Sequence, residues 1–157
     1  LKRWIEDGWF FLTAPVERLP SDTVFKPMKQ PKGAAFVENI VHEAVTCTED
    51  EDIEVVAARL INRNANHVVV VDGDDKLAGI ITSWDLTKSI ADGDEGLGDY
   101  IVRDVHTASV NEPLETVSKR LAEHNISALP VIDGDRRVLG IVTSEDISKL
   151  VGGRALG

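Results

Sequence analysis

Cysteine is nearly absent: Cys47 stands alone in 157 residues. No disulfide can close within the chain, and no cysteine-based zinc site can be built from it. A reducing cytoplasm is the expected setting. Long apolar runs are missing too. No stretch approaches the ~20 residues that a membrane helix requires, and no signal-peptide pattern opens the chain. Positive charge is scarce, with 17 Lys and Arg against 27 Asp and Glu and a net charge of −10. Such a surface repels phosphate backbones and anionic lipid, so neither nucleic acid nor membrane is an expected partner. A generic solvated surface accounts for the acidity equally well. An initiator Met is lacking, since the chain starts at Leu1; it is expected to be part of something longer.

Signatures of catalysis are also missing. There is no Gly-x-Ser-x-Gly elbow, no phosphate-loop lysine motif, no His-Glu-x-x-His and no dinucleotide glycine motif. Gly96-Leu97-Gly98 is not continued by a third glycine. His42, His67, His106 and His124 show no metal-ligand spacing, so no metal is expected. What remains is 43% apolar, normal for a soluble globular protein, and long enough for one domain with a real core.

What is present is a repeat. Shifted by 61 positions, residues 40–90 lie over 101–151 without a gap, and nineteen of the 51 pairs are identical. Among them are Glu51/Glu112, Arg59/Arg120, Asn64/Asn125, Gly79/Gly140, Thr82/Thr143, Ser83/Ser144 and Asp85/Asp146. Two copies at so long a period exclude a solenoid and point to two similar units facing each other.

Each unit reads the same way. Ile53, Val56, Ala57, Leu60 and Ile61 fall at helical spacing, as do Leu114, Val117, Leu121 and Ala122. Asn111 and Pro113 announce the second of these helices. Val68 to Val71 and Leu129 to Ile132 predict buried strands closed by Asp-Gly turns. Leu77 to Ile81 and Val138 to Val142 predict a second strand in each copy. Thr82-Ser83 then leads into a helix containing Leu86 and Ile90, with Ser83 the expected N-cap; the second copy starts its helix after Ser144. The acidic, Gly-rich stretch Asp92 to Gly98 reads as a linker. Before Phe36 the pattern changes: Pro15, Pro20, Pro27 and Pro31 interrupt any long element, and Trp4, Trp9, Phe10 and Phe11 cluster near one end. Such a cluster is expected to pack on something.

The stretches Gly79-Ile80-Ile81-Thr82-Ser83-Trp84-Asp85 and Gly140-Ile141-Val142-Thr143-Ser144-Glu145-Asp146, with Asn125 to Asp133 before the second, resemble the CBS signature. The first copy departs by carrying Val69 where the second has Pro130. The resemblance implies an α/β (α+β) disc, often called a Bateman module: two motifs, each β-α-β-β-α, pack three-stranded sheets face to face with pseudo-twofold symmetry, leaving two clefts. It implies the boundaries 1–36 for an N-terminal extension, 37–92 for the first motif, 93–99 for the linker and 100–152 for the second motif. It also implies association of two discs into a homodimer. The segment from Lys2 to Val16 is similar to the end of the archaeal homocysteine-biosynthesis domain, whose members carry a CBS pair at their C-terminus. That second resemblance implies an upstream, enzymatic domain in sulfur amino-acid metabolism.

Thr82, Ser83 and Asp85 sit where a strand becomes a helix, and Thr143, Ser144 and Asp146 repeat them. Asp in a first helical turn serves as a cap. An ionised carboxylate, as an acceptor with two oxygens, also suits the vicinal hydroxyls of a ribose. Both readings stand for each aspartate. By resemblance, one cleft combines Ile80, Thr82 and Asp85 with Val105, His106, Ser127 and Ala128. The other combines Ile141, Thr143 and Asp146 with Ala44, Val45, Asn66 and His67. Aliphatic residues there would sandwich an adenine ring. Polyphosphates need several Lys or Arg, whereas Arg63, Arg103, Arg136, Arg137 and Lys149 are scattered in sequence. Among adenosyl ligands this favours S-adenosylmethionine or methylthioadenosine over AMP, ADP or ATP. The expected function is a regulatory adenosyl sensor for an attached or partner enzyme, with no catalysis in this stretch. The alternative is a ligand-free dimerisation module.

Overall fold

A computed structural model describes residues 36–94 and 96–156, with side chains as far as Val151. Apart from Phe36, the N-terminal extension with its prolines and aromatic cluster lies outside the described residues. Phe36–Gly157 form one unit, in the order β1 (Val45–Cys47), α1 (Ile53–Arg63), β2 (His67–Val71), β3 (Leu77–Thr82), α2 (Ser83–Asp92), α3 (Leu114–His124), β4 (Ala128–Ile132), β5 (Val138–Thr143) and α4 (Ser144–Leu156). No helix among the described residues is long and apolar enough to cross a membrane.

The apolar stripes set the two amphipathic helices. α1 buries Ile53, Val56 and Leu60, and α3 buries Leu114, Val117 and Leu121. Ile61, expected on the same face, is 77% exposed. One residue is roughly 100° of helix rotation, which carries Ile61 off the stripe that ends at Leu60; Ala122 leaves the buried face in the same way. Ile90 is likewise exposed on α2, whose buried residues are Leu86 and Ser89. The linker has an anchor in the first core, where Leu97 is 1% exposed.

In the first sheet the order is β1-β2-β3, with β1 parallel to β2 and β2 antiparallel to β3. The second sheet pairs only β4 with β5, so the expected three strands are incomplete. Its third member shrinks to Ala108, which bridges Val131 in parallel: Ala108 N–H donates to the Pro130 carbonyl and Ile132 N–H to the Ala108 carbonyl, each at 3.0 Å. Extending that ladder toward residue 106 would require an N–H on residue 130, and proline has none. Val69 occupies the same place in the first sheet, where the strand is complete.

The two halves cross over each other. Val102, from the lead-in to the second half, pairs with Ile80 on β3, and His42, from the lead-in to the first, pairs with Ile141 on β5. Gly79 and Gly140 lie under these crossings: a Cβ added at them would meet the Val102 carbonyl oxygen at 2.9 Å and the His42 carbonyl oxygen at 2.5 Å. Their glycines therefore serve backbone approach. The hairpin tips are tied with matching offsets, Leu77 N–H to the Arg136 carbonyl at 2.9 Å and Val138 N–H to the Asp75 carbonyl at 3.0 Å. These pairs exchange under the 61-residue shift, which is the pseudo-twofold symmetry. Between the sheets, Ala44, Val69, Val71 and Leu77 pack with Ala128 and Ile141 into a core drawn from both halves.

Candidate functional site

Each final strand runs straight into a helix, so the peptide groups at the turn need partners from nearby. Thr82 is extended at φ −101° and ψ 164° and serves as the N-cap of α2; the cap expected at Ser83 lies one residue earlier. Thr82 Oγ1 accepts the Asp85 N–H at 3.1 Å, while Asp85 Oδ2 accepts the Thr82 N–H at 2.9 Å and its hydroxyl at 2.8 Å. At the second corner, Asp146 N–H donates to Thr143 Oγ1 and Thr143 N–H to Asp146 Oδ2, both at 3.0 Å. Ser83 N–H and Ser144 N–H donate to the Asn66 and Ser127 carbonyls at 2.9 and 2.8 Å. The Thr-x-x-Asp spacing thus closes a capping box twice. Each box engages Oδ2 and leaves Oδ1 without a partner among the described residues.

An open cavity of about 670 Å³ lies over the Asp146 corner. Of the residues expected in that cleft, Val45, Asn66, His67, Ile141, Thr143 and Asp146 line it, together with Ser144. Ala44 is buried behind them in the inter-sheet core. Thr82, Ser83 and Ser127, expected for the other cleft or the first corner, open onto this same cavity. The remaining residues are placed elsewhere. Asp85 sits in its box. Ile80 is half-buried and pairs with Val102 through its backbone. Val105 packs against the inter-sheet core and Ala128 is buried within it. The exposed His106 stacks on His124 with ring centroids 3.7 Å apart and planes 17° from parallel.

The charges around the cavity are mostly matched. Arg63 lies 3.5 Å from Glu43 and Lys149 3.6 Å from Glu145. Sequence scatter hid this convergence, but each cation arrives with its own carboxylate. His67 Nε2 is 2.9 Å from the Ser127 hydroxyl, and burial holds His67 below its ordinary proton affinity. His42, which sequence reasoning did not place in the site, brings Nε2 to 2.8 Å from Asp146 Oδ2. The repeat gave no signal for it: the same position in the other half is Arg103, which is bonded to Glu49 at 2.7 Å.

The CBS domain family matches residues 37–92 and again 97–153. The chain belongs to the CBS-domain family. Its paired corners are those of two CBS motifs, and the CBS pair is similar over 77% of this chain to a solved structure, the CBS domain pair of protein MJ0100 in complex with 5′-methylthioadenosine and S-adenosyl-L-methionine. That match covers 98% of the solved chain, with 42% identity and a TM-score of 0.73. Over 98% of this chain, an L-aspartate semialdehyde sulfurtransferase of Methanocaldococcus jannaschii is 43% identical and one of Methanosarcina acetivorans 35%. A homoserine O-acetyltransferase of Methanohalobium evestigatum is 42% identical over 74% of the chain. The chain spans 30%, 31% and 24% of the length of these three relatives.

Proposed function

We propose that this CBS pair is a regulatory module that binds an adenosyl compound, S-adenosylmethionine or methylthioadenosine in preference to AMP, ADP or ATP. It binds rather than catalyses, and it reports occupancy to an attached or partner enzyme of homocysteine or methionine synthesis. The observation that carries the reading is the cavity at the second corner, where a carboxylate with one unengaged oxygen stands beside Thr143, Ile141 and Val45. Asp146 would take the ribose hydroxyls, Thr143 the sugar or its 5′ substituent, and the aliphatic wall the adenine. Cations already matched by carboxylates leave little to hold a polyphosphate. A sulfonium or thioether needs no such partner. The complex of the 42% identical CBS pair with both sulfur compounds supports the same ligand class. The Asp85 corner repeats the box and is a second candidate. The enzymatic names of the longer relatives support the choice of pathway.

Regulation follows if ligand prefers one arrangement of the motifs over another, as it does when contacts are drawn from both. A ten- to hundredfold preference would bias the attached enzyme by about 1.4–2.8 kcal/mol. The test is a thermal-shift panel with the five compounds, followed by titration calorimetry. At a hundredfold excess over Kd, a ligand specific to the folded state adds about 2.7 kcal/mol of stability. One sulfur-containing adenosyl compound is expected to raise Tm, and Asp146→Ala to abolish the rise. Loss of the cap lowers the baseline by ~1 kcal/mol, so the readout is the ligand-induced difference. No shift with any compound at millimolar concentration would return the module to dimerisation alone.

A further inference from the structure

The carboxylate assigned to the ribose is already in use. Asp146 Oδ2 accepts both the Thr143 N–H at 3.0 Å and His42 Nε2 at 2.8 Å, which fills the roughly two lone-pair positions of one oxygen. At the Asp85 corner the same oxygen is held only by Thr82, through its N–H and its hydroxyl. A hydroxyl turns away at little cost; a ring paired to a carboxylate does not. The other nitrogen of His42, Nδ1, lies 3.2 Å from the Glu43 carbonyl oxygen. A carboxylate only accepts, so the ring is the donor at Asp146. The side chain is half exposed and can leave without uncovering the core. Its backbone cannot leave so readily: His42 N–H donates to the Ile141 carbonyl at 3.2 Å and Ile141 N–H to the His42 carbonyl at 2.9 Å.

We infer that His42 is an internal competitor for the ligand-reading carboxylate: its ring holds Asp146 until a vicinal diol takes both oxygens, whereupon the ring is released. This rests on the adenosyl reading of the cleft. The other charged groups facing the cavity do not hold Asp146 in the same way. Glu43 on the same segment faces Arg63 of α1, and Glu145 faces Lys149 along α4, while His67 of β2 faces Ser127. Every ligand must first displace the ring, so removing the ring is expected to tighten binding.

Titration calorimetry with 5′-methylthioadenosine and with S-adenosylmethionine tests this on the full chain. Wild type, His42→Ala and His42→Gln are each measured, and again with Asp85→Ala so that the heat comes from one cleft. His42→Ala is expected to bind severalfold more tightly than wild type. His42→Gln keeps a donor that can reach the carboxylate and is expected to fall between the two. Equal or weaker binding by His42→Ala would overturn the competitor while leaving the adenosyl site intact. Absence of binding by wild type and all variants would sink the adenosyl reading and this inference with it.

Discussion

Asp85 and Asp146 show how far a local spacing can be read. Their spacing from a threonine, read in the sequence both as a helix cap and as a ribose reader, resolves at Oδ2 into the cap. The capping half was legible because it is local: three residues and one turn decide it. His42 was not legible, because its contact spans 104 residues of sequence and has no counterpart in the other half. Ser89 makes a separate point. It is fully buried in α2 and its Oγ finds no partner among the described residues. A buried hydroxyl without a bond gives up its water for nothing. Ser89→Ala is therefore expected to leave stability unchanged or raise it by up to about 1 kcal/mol, read as the urea midpoint at constant m. A loss above that would reveal a bond the geometry does not show.

At the scale of elements, the same bracket is built twice. Arg59 donates to the Thr46 carbonyl at 2.7 Å and to Glu51 at 2.6 Å, while Glu51 accepts the Thr48 N–H at 2.9 Å. Arg120, Thr107, Glu112 and Ser109 repeat it at 2.7, 2.6 and 3.0 Å. Each bracket ties the strand or bridge that opens a motif to the helix that follows it. The hydrogen bond from arginine holds Glu51 and Glu112 below the usual carboxylate range. A carboxylate depressed in the folded state adds stability above its unfolded value and loses it as pH falls through the folded one. Tm is thus expected to fall as the pH drops below about 4.3. Glu112→Gln, which removes one titrating group, should reduce that slope and lower Tm at neutral pH; an unchanged slope would remove Glu112 from the acid response. The repeat made these pairs visible as identities, though not their purpose. The strand count was less legible, since the loss of a strand follows from Pro130 and a ladder partner 22 residues earlier. Even so, a single residue, the departure of Pro130 from Val69, carried the information.

Taken whole, the pair is more tightly joined than two repeats need be. Each final strand is edged by a segment belonging to the other half, and the inter-sheet core draws residues from both. Neither motif can open without stripping its neighbour. Calorimetric scanning is accordingly expected to show residues 36–151 unfolding in one transition with van't Hoff and calorimetric enthalpies equal, despite the visible internal symmetry. Two resolved transitions would mean that the crossings contribute little. The 61-residue shift made the two halves plain, and the hydrophobic periods made their elements plain. The exchange of edges was hidden, because a sequence repeat records what each half contains and nothing about which half uses it.

That exchange also sets an order in time. A ribosome delivers Val102 soon after Ile80, but Ile141 follows His42 by roughly a hundred residues, or about 5–20 seconds at ordinary synthesis rates. The turn of chain at His42 is thus made ahead of the motif it introduces and seated only when β5 emerges, and until then the nascent first motif waits with that lead-in undocked.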